Sequence, residues 1–169
     1  MLAKEEALKG VKLFVLDMDG TVYLGNKPIE GSFDFIREVE ASKDRDFIFF
    51  TNNASRVPSV YVEKLNKMGL EVDESKIMTA GDVTAEFLKM HYPGARVYLN
   101  GTPLLEENWR QKGILLVEDD PDVAVQSFDT TLTYRKLERI CTYVRNGVPF
   151  IATHMDTNCP TEDGFIPDC

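Results

Sequence analysis

An α/β fold built on a parallel sheet is the fold class that this sequence of 169 residues predicts. Short apolar runs of strand type alternate along the chain with amphipathic runs of helix type, which is the pattern of consecutive βαβ units. Two of the apolar runs end abruptly in small polar residues, as strands do where an open parallel sheet binds its ligands. A hydrophobic content of 43% is sufficient for a buried core.

The first half of the chain contains three predicted strands and two predicted helices. The first helix is marked by Phe33, Ile36 and Val39, which recur at the spacing of one helical face. Gly69 is placed to end the second helix. In order, the elements are strand Val11–Leu16, helix Ser32–Ala41, strand Asp46–Phe50, helix Val57–Met68 and strand Lys76–Thr79.

A second alternation of helices and strands begins at Gly81. Thr133 suits the N-cap of a helix that reaches Asn146, and Gly147 suits the C-terminal cap of that helix. The other elements are a helix containing Ala85, Leu88 and Lys89, strand Arg96–Leu99, a loop with Gly101 and Pro103, and strand Pro149–Thr153.

The first strand ends in two carboxylates, Asp17 and Asp19, followed by Gly20. Two close carboxylates repel one another, so this arrangement favours a divalent cation, and Mg²⁺ is the cation that prefers such oxygen ligands. A carboxylate can also attack phosphorus and form an aspartyl-phosphate, for which Asp17 is the candidate. Asp19 is the candidate general acid and then general base. The structural alternative is a solvated turn. A calcium-binding EF-hand loop does not fit, because Val22 to Leu24 are apolar where further oxygen ligands are needed.

The second strand ends in Thr51, Asn52 and Asn53. A hydroxyl and adjacent backbone N–H groups can hold phosphate oxygens, and Asn53 and Ser55 offer further neutral hydrogen bonds to an anion. Taken alone, the segment is typical of an ordinary turn or helix cap. Because the carboxyl ends of parallel strands meet at one edge of a sheet, we expect it to lie near the two aspartates.

These two segments resemble motifs one and two of the haloacid dehalogenase (HAD) superfamily, in its NagD-like sugar-phosphatase branch. The resemblance covers nearly the whole chain and continues through Gly101-Thr102-Pro103, Phe128 to Tyr134 and Phe150 to Pro160. It implies a partial Rossmann-like HAD core with a parallel sheet in residues 1–80 and an inserted α/β cap domain, itself incomplete, in residues 81–169.

The resemblance also implies roles for individual residues. Asp17 and Asp19 become the catalytic residues and the Mg²⁺ site, while Thr51 and Asn52 bind the phosphoryl group. Asn53 lines the substrate site. The cap of such enzymes closes over the cleft and recognises the organic part of the substrate, so His154, Asp156 and Asn158, which follow a strand end, are specificity candidates. The alternative for His154 is a plain exposed loop residue.

Relatives of this family continue beyond the position of Cys169, and their motif-three lysine and motif-four acidic pair have no counterpart in this sequence. Two hypotheses therefore stay open. The first is a Mg²⁺-dependent phosphomonoester hydrolase that acts on small phosphorylated metabolites, by default sugar phosphates. The second is a noncatalytic phosphate- or metal-binding module that is active only with the missing part. A response-regulator receiver is disfavoured, because its phosphorylated aspartate does not follow the first strand.

Composition limits the partners. A formal net charge of −9 argues against binding to nucleic acid or anionic membranes, because no basic stripe is present. The first ten residues do not form a signal peptide, and the three cysteines show no disulfide or zinc spacing, so we expect a cytoplasmic protein with reduced thiols. Cys141 is expected on a buried helical face with Leu137, Ile140 and Val144.

An incomplete sheet would leave an open edge, so we also expect self-association through that edge or the cap.

Overall fold

The computed structural model describes residues 8–161 and 164–168, which form two compact units. The first unit contains the described residues up to Thr51 together with Val62–Met78, and the second contains Asn52–Tyr61 together with the described residues from Thr79 onward. The chain therefore passes from the first unit to the second directly after Thr51, returns at Val62 and leaves again after Met78. The predicted domains, residues 1–80 and 81–169, stay a prediction. Residues 1–7 and Cys169, on which the expectations about a signal peptide and a third thiol depend, lie outside the described residues.

The first unit is built around a three-stranded sheet. Up to Thr79 the elements are β1 (Leu13–Leu16), β2 (Tyr23–Leu24), β3 (Lys27–Pro28), α1 (Ser32–Ala41), β4 (Asp46–Thr51), α2 (Pro58–Lys67), a 3₁₀ turn (Glu74–Lys76) and β5 (Ile77–Thr79). The strand order is β1-β4-β5, and β1 runs parallel to β4 with Leu13 opposite Asp46. β2 and β3 form a short antiparallel hairpin.

The helices of this part form where the sequence predicts them. α1 has the predicted bounds, and its apolar stripe of Phe33, Ile36 and Val39 is buried. Gly69 ends the segment after α2 with a φ of +90°, a conformation that glycine adopts without strain. Phe47 and Phe49 of β4 point into the core and are almost fully buried. Alternation along β4 thus places its even-numbered neighbours on the other face.

The second unit is a doubly wound α/β unit. Its elements after Thr79 are α3 (Ala80–His91), β6 (Arg96–Asn100), α4 (Pro103–Gln111), β7 (Leu115–Leu116), β8 (Val123–Gln126), α5 (Tyr134–Arg145), β9 (Phe150–Ala152), β10 (Asn158–Thr161) and β11 (Gly164–Pro167). The sheet has the order β7-β6-β8-β9, and all its pairings are parallel. β10 and β11 form an antiparallel hairpin.

Helices cover both faces of this sheet. On one face, Val97 and Leu99 of β6 share a core with Leu88 of α3 and with Leu105 and Trp109 of α4. On the other face, Tyr98 and Ala124 pack with Ile140 of α5. Burial of strand residues on both faces is what a parallel sheet requires, and it confirms the predicted α/β class.

Two local predictions were wrong. Pro103 was expected in a loop, but it is the first residue of α4. Proline is tolerated there because the N–H groups of a first helical turn have no partner within the helix. Thr102 is the N-cap of α4, and its hydroxyl oxygen accepts the N–H of Leu105 at 3.3 Å. Cys141 was expected to be buried, but it is exposed. The reason is that α5 packs on the sheet through Ile140 and Tyr143 and not through the face that carries Cys141 and Val144. Val144 is accordingly 42% exposed.

Among the described residues, no helix combines the length and the apolar character that crossing a membrane requires.

Candidate active site

Asp17 and Asp19 project from the turn that follows β1. Met18 between them is fully buried, and its carbonyl accepts the N–H groups of Thr21, Val22 and Tyr23 at 3.2, 2.9 and 3.2 Å. Met18 is buried between two exposed carboxylates, and these are close enough for the charge of Asp19 to raise the pKa of Asp17. Gly20, with a φ of +85°, then turns the chain back, and its N–H donates to the Tyr23 carbonyl at 2.7 Å. Both carboxylates therefore lie at the turn after β1, where the sequence places them, and their catalytic and metal-binding roles stay a prediction.

The electrostatics of the pair suit a cation. Loss of solvent around the carboxyl raises the pKa of Asp17, a hydrogen bond with the Met18 backbone lowers it in part, and the nearby charge of Asp19 raises it further. A divalent cation between the two carboxylates would relieve the effect of Asp19 on Asp17, and hard oxygen ligands of this kind fit Mg²⁺.

Two side chains that the sequence did not single out for function contact Asp19. The hydroxyl of Tyr23 donates to Asp19 Oδ2 at 3.3 Å, and the ammonium of Lys64 lies 3.9 Å from Asp19 Oδ1. Lys64 Nζ also sits 3.8 Å from the centre of the Tyr23 ring. The sequence carried one signal for this arrangement, since Lys64 interrupts the apolar stripe of α2 that contains Tyr61 and Leu65.

Thr51 and the residues after it form a structured turn. Thr51 ends β4 and is 1% exposed. Oδ1 of Asn53 accepts both the N–H of Ser55 at 2.9 Å and its hydroxyl at 2.7 Å, which fixes the turn as an Asx turn. Asn52 is exposed, and its amide donates to the carboxylate of Asp156. The structure therefore joins Asn52 and Asp156, two residues that the sequence analysis had selected separately.

His154 is not an exposed loop residue, because its side chain is only 9% exposed. Its Nδ1 accepts the N–H of Asp156 at 3.3 Å, and its Nε2 lies 3.1 Å from Asp168 Oδ1. Burial raises the pKa of Asp168, the charge of His154 lowers it, and that of Asp156 raises it. Asp168 was missed because nothing in its local sequence connects it to a residue 14 positions earlier.

Ligand atoms of His154, Asp156 and Asp168 lie within 4.8 Å of one another. Nδ1 of His154 accepts the N–H of Asp156, whereas the buried Oδ1 of Asp168 makes no hydrogen bond. Asn158, the remaining specificity candidate, is exposed, and its amide donates to Thr157 Oγ1 at 3.2 Å.

Comparison with known proteins identifies the family. The model of the haloacid dehalogenase-like hydrolase family matches residues 14–115, which is more than half of the chain. The chain belongs to the HAD superfamily. Within this superfamily it is NagD-like, as its similarity to a solved NagD-type structure indicates.

Three relatives illustrate the similarity. An acid sugar phosphatase from Staphylococcus saprophyticus is 35% identical over 95% of this chain and 62% of its own length. A 4-nitrophenylphosphatase structure from Thermotoga maritima is 42% identical with a TM-score of 0.88, over 94% of this chain and 60% of that chain. A glycerol phosphate phosphatase from Mycobacterium tuberculosis, solved in complex with magnesium, is 31% identical with a TM-score of 0.81, over 92% of this chain and 48% of that chain. The chain thus spans less than two thirds of the length of these relatives.

Proposed function

We propose that this chain carries the nucleophile and the phosphate-binding segment of a Mg²⁺-dependent phosphomonoester hydrolase. The observation that carries the proposal is the pair Asp17 and Asp19, both exposed at a hydrogen-bonded turn at the carboxyl end of β1. The names of the similar proteins, which include phosphatases of sugar, glycerol and nitrophenyl phosphates, support a small phosphomonoester as substrate.

The proposed reaction has two displacements. A carboxylate oxygen of Asp17 forms a bond to phosphorus while the bond to the ester oxygen breaks, and the leaving oxygen takes a proton from the carboxyl of Asp19. Water then attacks the aspartyl-phosphate and gives its proton to Asp19, which releases orthophosphate and restores both side chains. The hydroxyl of Thr51 and the amide of Asn52 hold the phosphoryl oxygens during both steps. Mg²⁺, held by Asp17 and Asp19, would supply charge neutralisation for the phosphoryl group.

The proposed substrate-binding residues all lie in the second unit. Asn53, His154, Asp156 and Asn158 are the proposed residues, with sugar phosphates as the default substrate class. Because Nδ1 of His154 accepts the N–H of Asp156, its proposed part is to support the loop that presents Asp156.

The test is orthophosphate release from 4-nitrophenyl phosphate and a panel of sugar phosphates, with Mg²⁺ and with EDTA. We expect Mg²⁺-dependent turnover that is abolished in Asp17→Asn and strongly reduced in Asp19→Asn. Asp34→Asn is the matched control, because it makes the same change of charge at an exposed carboxylate of α1. Turnover that persists in Asp17→Asn would overturn the proposed nucleophile.

A second candidate is phosphate or metal binding without turnover, for which the exposed carboxylates of Asp17 and Asp19 are sufficient as oxygen ligands. In this case the wild-type chain releases no orthophosphate, yet calorimetry still detects binding of Mg²⁺, and Asp17→Asn weakens that binding.

A further inference from the structure

The segment Asn52–Ser55, directly after Thr51, is held by side chains that come from far away in the sequence. The hydroxyl of Ser127 donates to the carbonyl of Ala54 at 3.2 Å, and the hydroxyl of Thr102 donates to the carbonyl of Ser55 at 3.0 Å. The carboxylate of Asp156 accepts from the amide of Asn52. All of these residues belong to the second unit.

The two hydroxyl contacts are made in the dry interior of that unit. Ala54 is 0% exposed, Ser127 is 1% exposed and Thr102 is 6% exposed. A carbonyl that loses its hydrogen-bond donor in such a place remains unsatisfied and destabilises the fold, because no bulk water replaces the donor. These contacts are therefore stronger restraints than hydroxyl bonds at a surface.

Both donors are held in place by the strands that carry them. The backbone N–H of Ser127 donates to the Asn100 carbonyl at 2.9 Å, and the Ser127 carbonyl accepts from Gln126 Nε2 at 2.7 Å. Asn100 Nδ2 in turn donates to Gln126 Oε1 at 2.7 Å, so the ends of β6 and β8 are tied together. Thr102 is fixed as the N-cap of α4. The hydroxyls thus reach the segment from a rigid support.

We propose that Ser127, Thr102 and Asp156 are positioning residues that set the placement of Asn52 and Asn53. Ser127 and Thr102 fix the carbonyls of Ala54 and Ser55, and the N–H and hydroxyl of Ser55 fix Oδ1 of Asn53. Asp156 orients Asn52 directly. The proposal rests on the proposed function for the assignment of phosphate to this segment.

The placement is tested without ligand by amide hydrogen exchange in the whole chain. Ser127→Ala removes one buried hydroxyl-to-carbonyl bond next to the segment, and we expect the Ser55 amide to exchange at least about tenfold faster. Thr84→Val is the matched control, because Thr84 is buried and its hydroxyl donates to the Ala80 carbonyl at 2.8 Å, within α3. An unchanged Ser55 amide in Ser127→Ala, or an equal acceleration in Thr84→Val, overturns the proposal.

The functional consequence is tested with 4-nitrophenyl phosphate and with inorganic phosphate in the presence of Mg²⁺. Asp156→Leu removes the acceptor for Asn52, whereas Asp156→Asn keeps an amide oxygen in its place. We expect Asp156→Leu to raise KM, and to weaken phosphate binding, by about tenfold with a smaller effect on kcat, and Asp156→Asn to restore most of the loss. Equal behaviour of the two variants contradicts a positioning role for Asp156. If the wild-type chain neither binds nor hydrolyses phosphate, the proposed function fails, while the exchange experiment still decides the placement.

Discussion

At the scale of single residues, the surroundings of Asp17 set the conditions under which it can act. Its carboxyl holds a proton to higher pH than an ordinary aspartate, because loss of solvent and the charge of Asp19 both raise its pKa. Only the ionised form can bind Mg²⁺ or attack phosphorus. Acid conditions therefore remove both proposed activities at once.

Binding of Mg²⁺ is accordingly expected to weaken in acid. With a raised pKa, protons compete with the metal at pH values where an ordinary aspartate, with a pKa of about 3.9, is already ionised. Below the pKa of Asp17, each pH unit should lower the apparent affinity by up to about tenfold. Calorimetric titration with Mg²⁺ at several pH values between 4 and 7 measures this. In Asp17→Asn we expect weaker binding that has lost this component of the pH dependence, and a wild-type affinity that is constant over the whole range would contradict the assignment.

Lys64 and Tyr23 are expected to matter for the placement of Asp19. Tyr23→Phe keeps the ring beneath the Lys64 ammonium but removes the hydroxyl that donates to Asp19. Since hydrogen bonds to charged groups contribute about 1.5–3 kcal/mol, we expect kcat for phosphate release to fall by about tenfold, with a small change in thermal stability. Lys67→Met serves as the control for Lys64→Met, because Lys67 pairs with Glu63 on the exposed side of the same helix. Equal effects of the two lysine substitutions would count against the role of Lys64.

At the scale of elements, local sequence patterns predicted the helix bounds and caps that depend on interactions between neighbouring residues. The bounds of α1 follow from its own apolar stripe, and α5 begins after Thr133 as its capping pattern indicates. The face of α5 that is buried could not be predicted, because its contact with Tyr98 and Ala124 depends on the sheet. In the candidate site, Asp17 and Thr51 could be selected as candidates because they stand at strand ends, whereas Asp168 depends on a contact with a distant residue and could not.

The start of α3 offers an element-scale prediction. Asp82 and Thr79 form a capping box: Asp82 Oδ2 accepts the Thr79 N–H at 2.9 Å, and Thr79 Oγ1 accepts the Asp82 N–H at 3.1 Å. Asp82 also pairs with Lys112. We expect Asp82→Ala to lower the free energy of unfolding by about 1–2 kcal/mol in urea titrations, because it removes the cap. Lys112→Met should lower the free energy of unfolding by less, because it removes the ion pair but keeps the cap. A larger decrease in Lys112→Met than in Asp82→Ala would contradict this ranking.

At the scale of the whole molecule, the sheet of the first unit has an exposed apolar edge. In the part of the chain that the structure describes, β1 pairs with β4, and Leu13 and Val15 of β1 are 53% and 60% exposed. Edge strands with exposed apolar residues are templates for pairing with another chain.

We therefore expect the chain to self-associate as its concentration rises, in sedimentation-velocity experiments. Val15→Lys places a charge on the β1 edge and should reduce this association markedly. Met90→Lys is the matched control, because Met90 is 74% exposed on α3, which belongs to the second unit. A chain that stays monomeric at every concentration, or an equal effect of the two lysine substitutions, would exclude the edge as the contact.

The path of the chain also has a consequence for inheritance and engineering. Residues 52–61 interrupt the first unit in sequence but belong to the second, and the hydroxyls of Thr102 and Ser127 that hold them are encoded much later. A recombination that exchanges everything after Met78 for the equivalent stretch of a homologue would thus separate Asn52 and Asn53 from their supports. We expect chimeras joined at this point to function only when the donor stretch supplies hydroxyl side chains at both positions, so these two sites should be transferred together with residues 52–61.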